Sequence, residues 1–258
     1  AFTGNKFEFR AVGSSQSVSF ANVVLNTIVA EALDEMSDIL ESKLADGADL
    51  EMAVAAVVRE TVHESKDILF GGDNYTDEWH EEAERRGLLN LKTTVDALET
   101  LVSEKNIKLF ETYGVLSEAE LRSREDIWVE QYFLSINIEA ETTEHMARTM
   151  VMPAATRYLD SLVDTIQKGK KAGVSTKGVK LVADHAAAYV DELQVALGEL
   201  IDQNKELGGD SVHEKAHHML DNVIPAMMKV RHATDRLERI TAGDLWPLPT
   251  YRDILFVK

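Results

Sequence analysis

The sequence predicts a mainly α fold, with one strand and one helix at the start followed by a bundle of long helices. Three observations carry this expectation. Asn5-Lys6-Phe7-Glu8-Phe9-Arg10 alternates charged and aromatic residues with the period of two that belongs to a half-buried strand. Beyond it, apolar residues recur three and four positions apart for most of the chain, which is amphipathic-helix spacing. Only 4 prolines occur in 258 residues, and two of those stand in the last twelve.

The expected strand has an aromatic face, Phe7 and Phe9. Its other face carries Lys6, Glu8 and Arg10 in a row, each about 7 Å from the next. Such a row is either a solvated edge face or a face that binds something charged. The carboxylate suits a metal ion and the two cations suit phosphate oxygens. A single strand does not stand alone. It must pair with the far C-terminal tail or with something outside this sequence, so the chain is read as a piece of a longer protein.

Gly13-Ser14-Ser15-Gln16-Ser17 reads as a turn. Asn22 is expected to cap a helix reaching residue 44, with Leu25, Ile28, Val29, Ala32, Leu33, Met36, Ile39 and Leu40 on one broad face. Residues 1–45 form the first region on this reading. Asp46-Gly47 ends that helix and Asp49 starts another, rich in Ala and Val, running to about residue 66, with Val54 expected to be buried. Thr76 caps a short helix whose first turn holds Asp77 and Glu78 and whose last holds Arg85 and Arg86, charges that complement the helix dipole. Two short helical pieces, 95–102 and 104–113, complete a connecting region over residues 46–115.

The bundle occupies residues 116–258. Ser117 and Glu120 make a capping box that opens the longest helix, with Trp128 expected inside, and Pro153 is expected to kink or restart it. Further long helices run over 176–207 and from Ser211 to about residue 242. Trp246-Pro247-Leu248-Pro249-Thr250-Tyr251 reads as an extended tail.

Composition excludes several classes of function. With 27 Lys plus Arg against 45 Asp plus Glu, the net charge is −18, which disfavours nucleic-acid binding through phosphate neutralisation. The chain has no cysteine, hence no disulfide or thiol chemistry, in keeping with a cytoplasmic protein. Its longest apolar run, 53–58, is far too short for a membrane span.

Two motifs compete for chemistry. His213-Glu214-Lys215-Ala216-His217 matches H-E-x-x-H, with Glu238 as a conceivable third ligand of a zinc hydrolase. The same Glu214 also completes an S-x-x-E capping box with Ser211, which turns its carboxylate back to the helix start rather than toward a cleft. Gly173-Val174-Ser175-Thr176-Lys177-Gly178 has phosphate-loop spacing, but Val179 stands where lysine is needed and no strand precedes it. It reads as a helix connection flanked by Lys168, Lys170, Lys171 and Lys180.

Phe2-Thr3-Gly4-Asn5-Lys6-Phe7-Glu8-Phe9-Arg10 and the following Asn22-Val23-Val24-Leu25-Asn26 resemble the last catalytic strand and next helix of type III glutamine synthetases. The resemblance continues in Glu81-Glu82-Ala83-Glu84-Arg85-Arg86-Gly87-Leu88, Tyr113-Gly114-Val115-Leu116-Ser117, Ile136-Asn137-Ile138-Glu139-Ala140 and the closing Trp246 to Tyr251 run. It implies a strand and helix left from the catalytic α/β domain, then a helical C-terminal region. It also implies an ATP-dependent ligase that joins ammonia to glutamate through γ-glutamyl phosphate, with Mg2+ (or Mn2+), assembled as a homo-oligomer of stacked rings. In that family Glu8 corresponds to a metal ligand, Arg10 to the catalytic cation on glutamate and the transferring phosphoryl group, and Lys6 to a nucleotide-phosphate contact. The remaining metal carboxylates would precede this strand, so this chain alone is expected to be inactive. A non-catalytic helical scaffold that pairs its strand with a partner is the alternative.

Overall fold

The computed structural model describes residues 13, 16–73 and 75–255, with side chains at 251 and 252 excepted. The expected strand at 5–10 lies outside the described residues. Within them every regular element is helical, so the mainly α expectation holds. The chain divides into two compact units, between Ser123 and Arg124.

In the first unit, α1 spans Val18–Ala45 and is capped by Ser17, whose side chain accepts from the Ser19 N–H at 3.2 Å. The expected cap, Asn22, sits inside the helix. Ser17 has the extended backbone a cap requires (φ −70°, ψ 142°), and Val18-Ser19-Phe20-Ala21 contains no breaker to delay the start. Thr27 is the buried residue of α1, its hydroxyl donating to the Val23 carbonyl at 2.8 Å. Of the expected apolar face, Leu25, Met36 and Leu40 are half-buried, while Ile28, Val29, Leu33 and Ile39 are exposed.

Gly47 ends α1 in the left-handed region (φ +89°). Helix α2 (Leu50–Glu64) follows, capped by Asp49 as expected, and packs on α1. It buries Ala53 and Val57, whereas Val54 is 43% exposed. The expectation for Val54 is therefore wrong: α2 carries two apolar rows, and the pattern cannot say which is covered.

A 3-10 turn, Ser65–Ile68, and a loop lead to α3 (Asp77–Arg85). Arg86, just past α3, organises this loop. It donates to the carbonyls of Asp67 (3.0 Å) and Leu69 (3.1 Å) and to Glu82 Oε1 (2.6 Å). Its guanidinium lies 5.4 Å from the Trp79 ring centroid, and that ring stacks on Phe70. Helices α4 (Thr94–Glu99) and α5 (Glu104–Thr112), joined by a 3-10 turn, complete the connecting region. Phe110 and Leu116 form a core with Leu121 on α6 (Glu118–Met146), against which Phe20, Val23 and Ile107 pack. The Ser117–Glu120 capping box is present: Ser117 N–H donates to Glu120 Oε2 at 2.9 Å, and Glu120 N–H donates to Ser117 Oγ at 3.3 Å.

In the second unit, Trp128 on α6 is half-buried. At Pro153 the α-helical geometry is interrupted and restarts, as expected, but without a loop. A π turn at Ala147–Val151 carries α6 directly into α7 (Met152–Ala172), and the Met152 N–H reaches back five residues to the Ala147 carbonyl. The same device recurs: α9 (Val212–His218) passes through a π turn, Met219–Val223, into α10 (Ile224–Ile240), whose second residue is Pro225. A proline ring clashes with the carbonyl four residues earlier, here Thr149 and Asp221. Both carbonyls fall within the widened turns, which ease that clash and keep the helix going.

Between them α8 (Lys177–Glu206) packs on α7 and on α10. Glu192 pairs with Arg236 at 2.9 Å and Glu199 with Lys229, so seven steps forward on α8 match seven steps back on α10. The two are antiparallel, as bundle architecture requires. Their core holds Leu193, Leu197 and Leu200 against Met219, Val223, Val230 and Leu237, with Ala147, Val151 and Trp246 in the same cluster. The tail is not extended throughout. Thr250 and Asp253 form a reciprocal cap (3.0 and 3.4 Å) that opens a short helix, α11, at Tyr251–Leu255.

Candidate functional site

Lys6, Glu8 and Arg10 lie outside the described residues. The remaining candidate is the start of α9, where H-E-x-x-H falls. Glu214 is spent on the cap. Its Oε2 accepts from the Ser211 N–H (2.9 Å), the Ser211 hydroxyl (2.8 Å) and the Asp210 N–H (3.1 Å), while Ser211 Oγ accepts from the Glu214 N–H (3.2 Å). The Ser211 backbone bond, then its hydroxyl, hold the Glu214 carboxyl below its ordinary value, with Asp210 adding to the effect. The approach is close: a Cβ on Gly209 would stand 2.7 Å from Glu214 Oε2.

His213 faces α6. Its Nε2 lies 2.6 Å from Glu125 Oε1, and the Glu125 side chain is only 6% exposed. His218 is also committed, its Nε2 donating to the Gln203 carbonyl at 2.7 Å and its Nδ1 accepting from Asn222 at 3.2 Å. The three-ligand cluster among the described residues is Glu125, Asp126 and His213, whose ligand atoms lie within 4.8 Å of one another. Neither Glu214, His217 nor Glu238 belongs to it. Glu125 and His213 hydrogen-bond directly, closer than two ligands of one tetrahedral ion stand. The arrangement is that of a polar tie between two helices, nearly buried at Glu125 and open at His213, while Glu214 is committed to its own cap.

The phosphate-loop spacing resolves just as locally. Gly173 is the left-handed end of α7 (φ +72°). Lys168 pairs with Asp164 (2.5 Å) and Lys180 with Asp184 (2.7 Å), each along its own helix. Sequence reasoning missed Glu125, which stands 88 residues from His213 with no local pattern to link them. No helix among the described residues is long and apolar enough to cross a membrane.

Residues 53–170 match the family described as the glutamine synthetase C-terminal domain. The whole chain is 37% identical to the Type-3 glutamine synthetase of Dictyostelium discoideum and 28% identical to a glutamine synthetase of Bacteroides fragilis, covering 36% of each. Over 99% of its length it is 33% identical to a glutamine synthetase of Butyrivibrio fibrisolvens, covering 37% of that protein. The chain thus spans little more than a third of the length of the curated relatives it matches. Residues 53–170 are thus similar to the glutamine synthetase C-terminal domain, and the chain as a whole is similar to a portion of a Type-3 glutamine synthetase.

Proposed function

We propose that this chain is part of an ATP-dependent ligase that forms glutamine from glutamate and ammonia through γ-glutamyl phosphate. The observation that carries the reading is similarity along the whole chain, at 37% identity, to a protein named as a type III glutamine synthetase. In this reading Lys6, Glu8 and Arg10 present one charged face to the reacting groups. Glu8 is a hard oxygen donor suited to Mg2+ or Mn2+, which supplies charge neutralisation when bound. Arg10 positions glutamate and balances the charge that develops on the transferring phosphoryl group, and Lys6 holds a nucleotide phosphate. One carboxylate and two cations do not complete such a site. The other ligands belong to polypeptide outside this chain, and the chain by itself turns nothing over. The family resemblance extends the reading to a cytoplasmic homo-oligomer of stacked rings.

The test is Glu8→Ala in the full-length protein, with glutamine formation and assembly measured together. Loss of turnover with assembly intact is the expected result, and normal turnover overturns the assignment.

A further inference from the structure

Large apolar side chains stand exposed along one row of α2. Leu50, Val54, Val58 and Val62 are 58, 43, 53 and 55% exposed. The neighbouring row, Ala53 and Val57, is buried, so α2 is already held without the exposed one. Four such residues at every fourth position make a continuous ridge about 18 Å long. On α1, Val29 and Leu33 are likewise more than half exposed. Apolar surface gathered in this way marks an interface.

We propose that the Leu50–Val54–Val58–Val62 ridge docks against another part of the same, longer polypeptide, namely the portion that the type III glutamine synthetases carry and this chain does not. This rests on the reading of the chain as part of such a ligase. The relatives are large enough to supply the partner, since the chain covers only 36–37% of them. A tethered partner meets the ridge at high effective concentration. A second copy is the poorer occupant, because the strict spacing of four lacks the alternating three and four that lets two helices pair side by side. An every-fourth ridge suits an apolar helix crossing at a steep angle, or an apolar sheet face.

The chain has no cysteine, so Val58→Cys places a single thiol within it. In the full-length protein, maleimide labelling resolved by peptide mass spectrometry compares Val58→Cys with Val174→Cys, the latter in the turn after α7 and 64% exposed in the native chain. Docking makes Val58→Cys slower by roughly tenfold or more, as local protection in a packed interface does. Equal rates overturn the proposal. Protection that vanishes when the assembly is dissociated to protomers puts a second copy on the ridge and also overturns it. Leu50→Cys, at the end of the ridge, serves in the same comparison if Val58→Cys does not fold. Glutamine formation by the unaltered full-length protein is assayed separately. A protein that protects Val58→Cys but makes no glutamine sinks the ligase reading while leaving the docking surface standing.

Discussion

Glu125 and His213 meet at 2.6 Å, a nearly buried carboxylate on α6 held by an imidazole at the start of α9. The bond satisfies a group that would otherwise be desolvated without a partner. His213→Ala leaves the Glu125 carboxylate stranded and is expected to destabilise the protein by about 1–3 kcal/mol. Adding Glu125→Leu to it recovers part of that loss, because no polar group then lacks a partner. Urea midpoints of the two variants check this, and equal stability of His213→Ala and the wild type sinks it.

Glu214 gives a pH dependence. Its carboxyl is held below the ordinary value of 4.5 in the folded protein, first by the Ser211 backbone bond. A depressed folded value contributes stability above the unfolded value, and that contribution fades as pH falls through the folded one. Glu214→Gln is therefore less stable than the wild type near neutral pH, and the gap closes as the carboxylate protonates. Unfolding midpoints measured at about pH 7 and about pH 3 read this directly. A gap that widens on acidification contradicts it.

Ser211→Ala removes the reciprocal half of the same box together with the hydroxyl that helps hold the Glu214 carboxyl down, and is expected to cost about 1 kcal/mol near neutral pH and less in acid. Differential scanning calorimetry on either side of the carboxylate range reads both parts, and an equal loss at the two pH values contradicts the link to Glu214.

Arg86 closes the 65–76 loop through two carbonyls, a carboxylate and an indole face. A lysine retains the charge but not the planar fork that reaches Asp67 and Leu69 together. Arg86→Lys is expected to raise hydrogen exchange across that loop while leaving α8 and α10 unchanged. Unaltered loop protection refutes the role.

Two glycines predict opposite signs. Gly208 has φ +77°, and a Cβ there would come 2.1 Å from His218 Cβ, so Gly208→Ala strains the backbone and clashes. Gly198 lies within α8, where a Cβ meets nothing within 4 Å. Gly198→Ala is expected to stabilise by roughly 0.5–1 kcal/mol. Thermal melts of the pair decide both.

Features set by a few neighbouring residues were readable from the chain itself. Asp49, Thr76, Ser117 and Ser211 stand at the helix starts their chemistry predicts, and Gly47, Gly87 and Gly173 just past helix ends. Ser17 was overlooked because several capping residues lie between Ser14 and Asn22, and local preference cannot rank them. Val54 was misplaced because both rows of α2 are apolar, and which one is covered depends on what packs there. Glu125 needed a contact across 88 residues, which no short motif encodes. Of the candidate site, the capping role of Glu214 was legible, because Ser211 and Glu214 stand three residues apart at a helix start. Lys6, Glu8 and Arg10 rest on resemblance.

The two π turns also alter how the long helices are counted. Each absorbs one residue beyond the α-helical period without making a loop. A row traced by 3.6 spacing up to Met146 therefore continues after Val151 about 100° away around the axis. Deleting Thr149 would restore regular phase through the junction. In doing so it would rotate Ala140 and its neighbours out of register with Ala155 and the residues beyond, so that a one-residue loss would be felt as a misalignment of two faces.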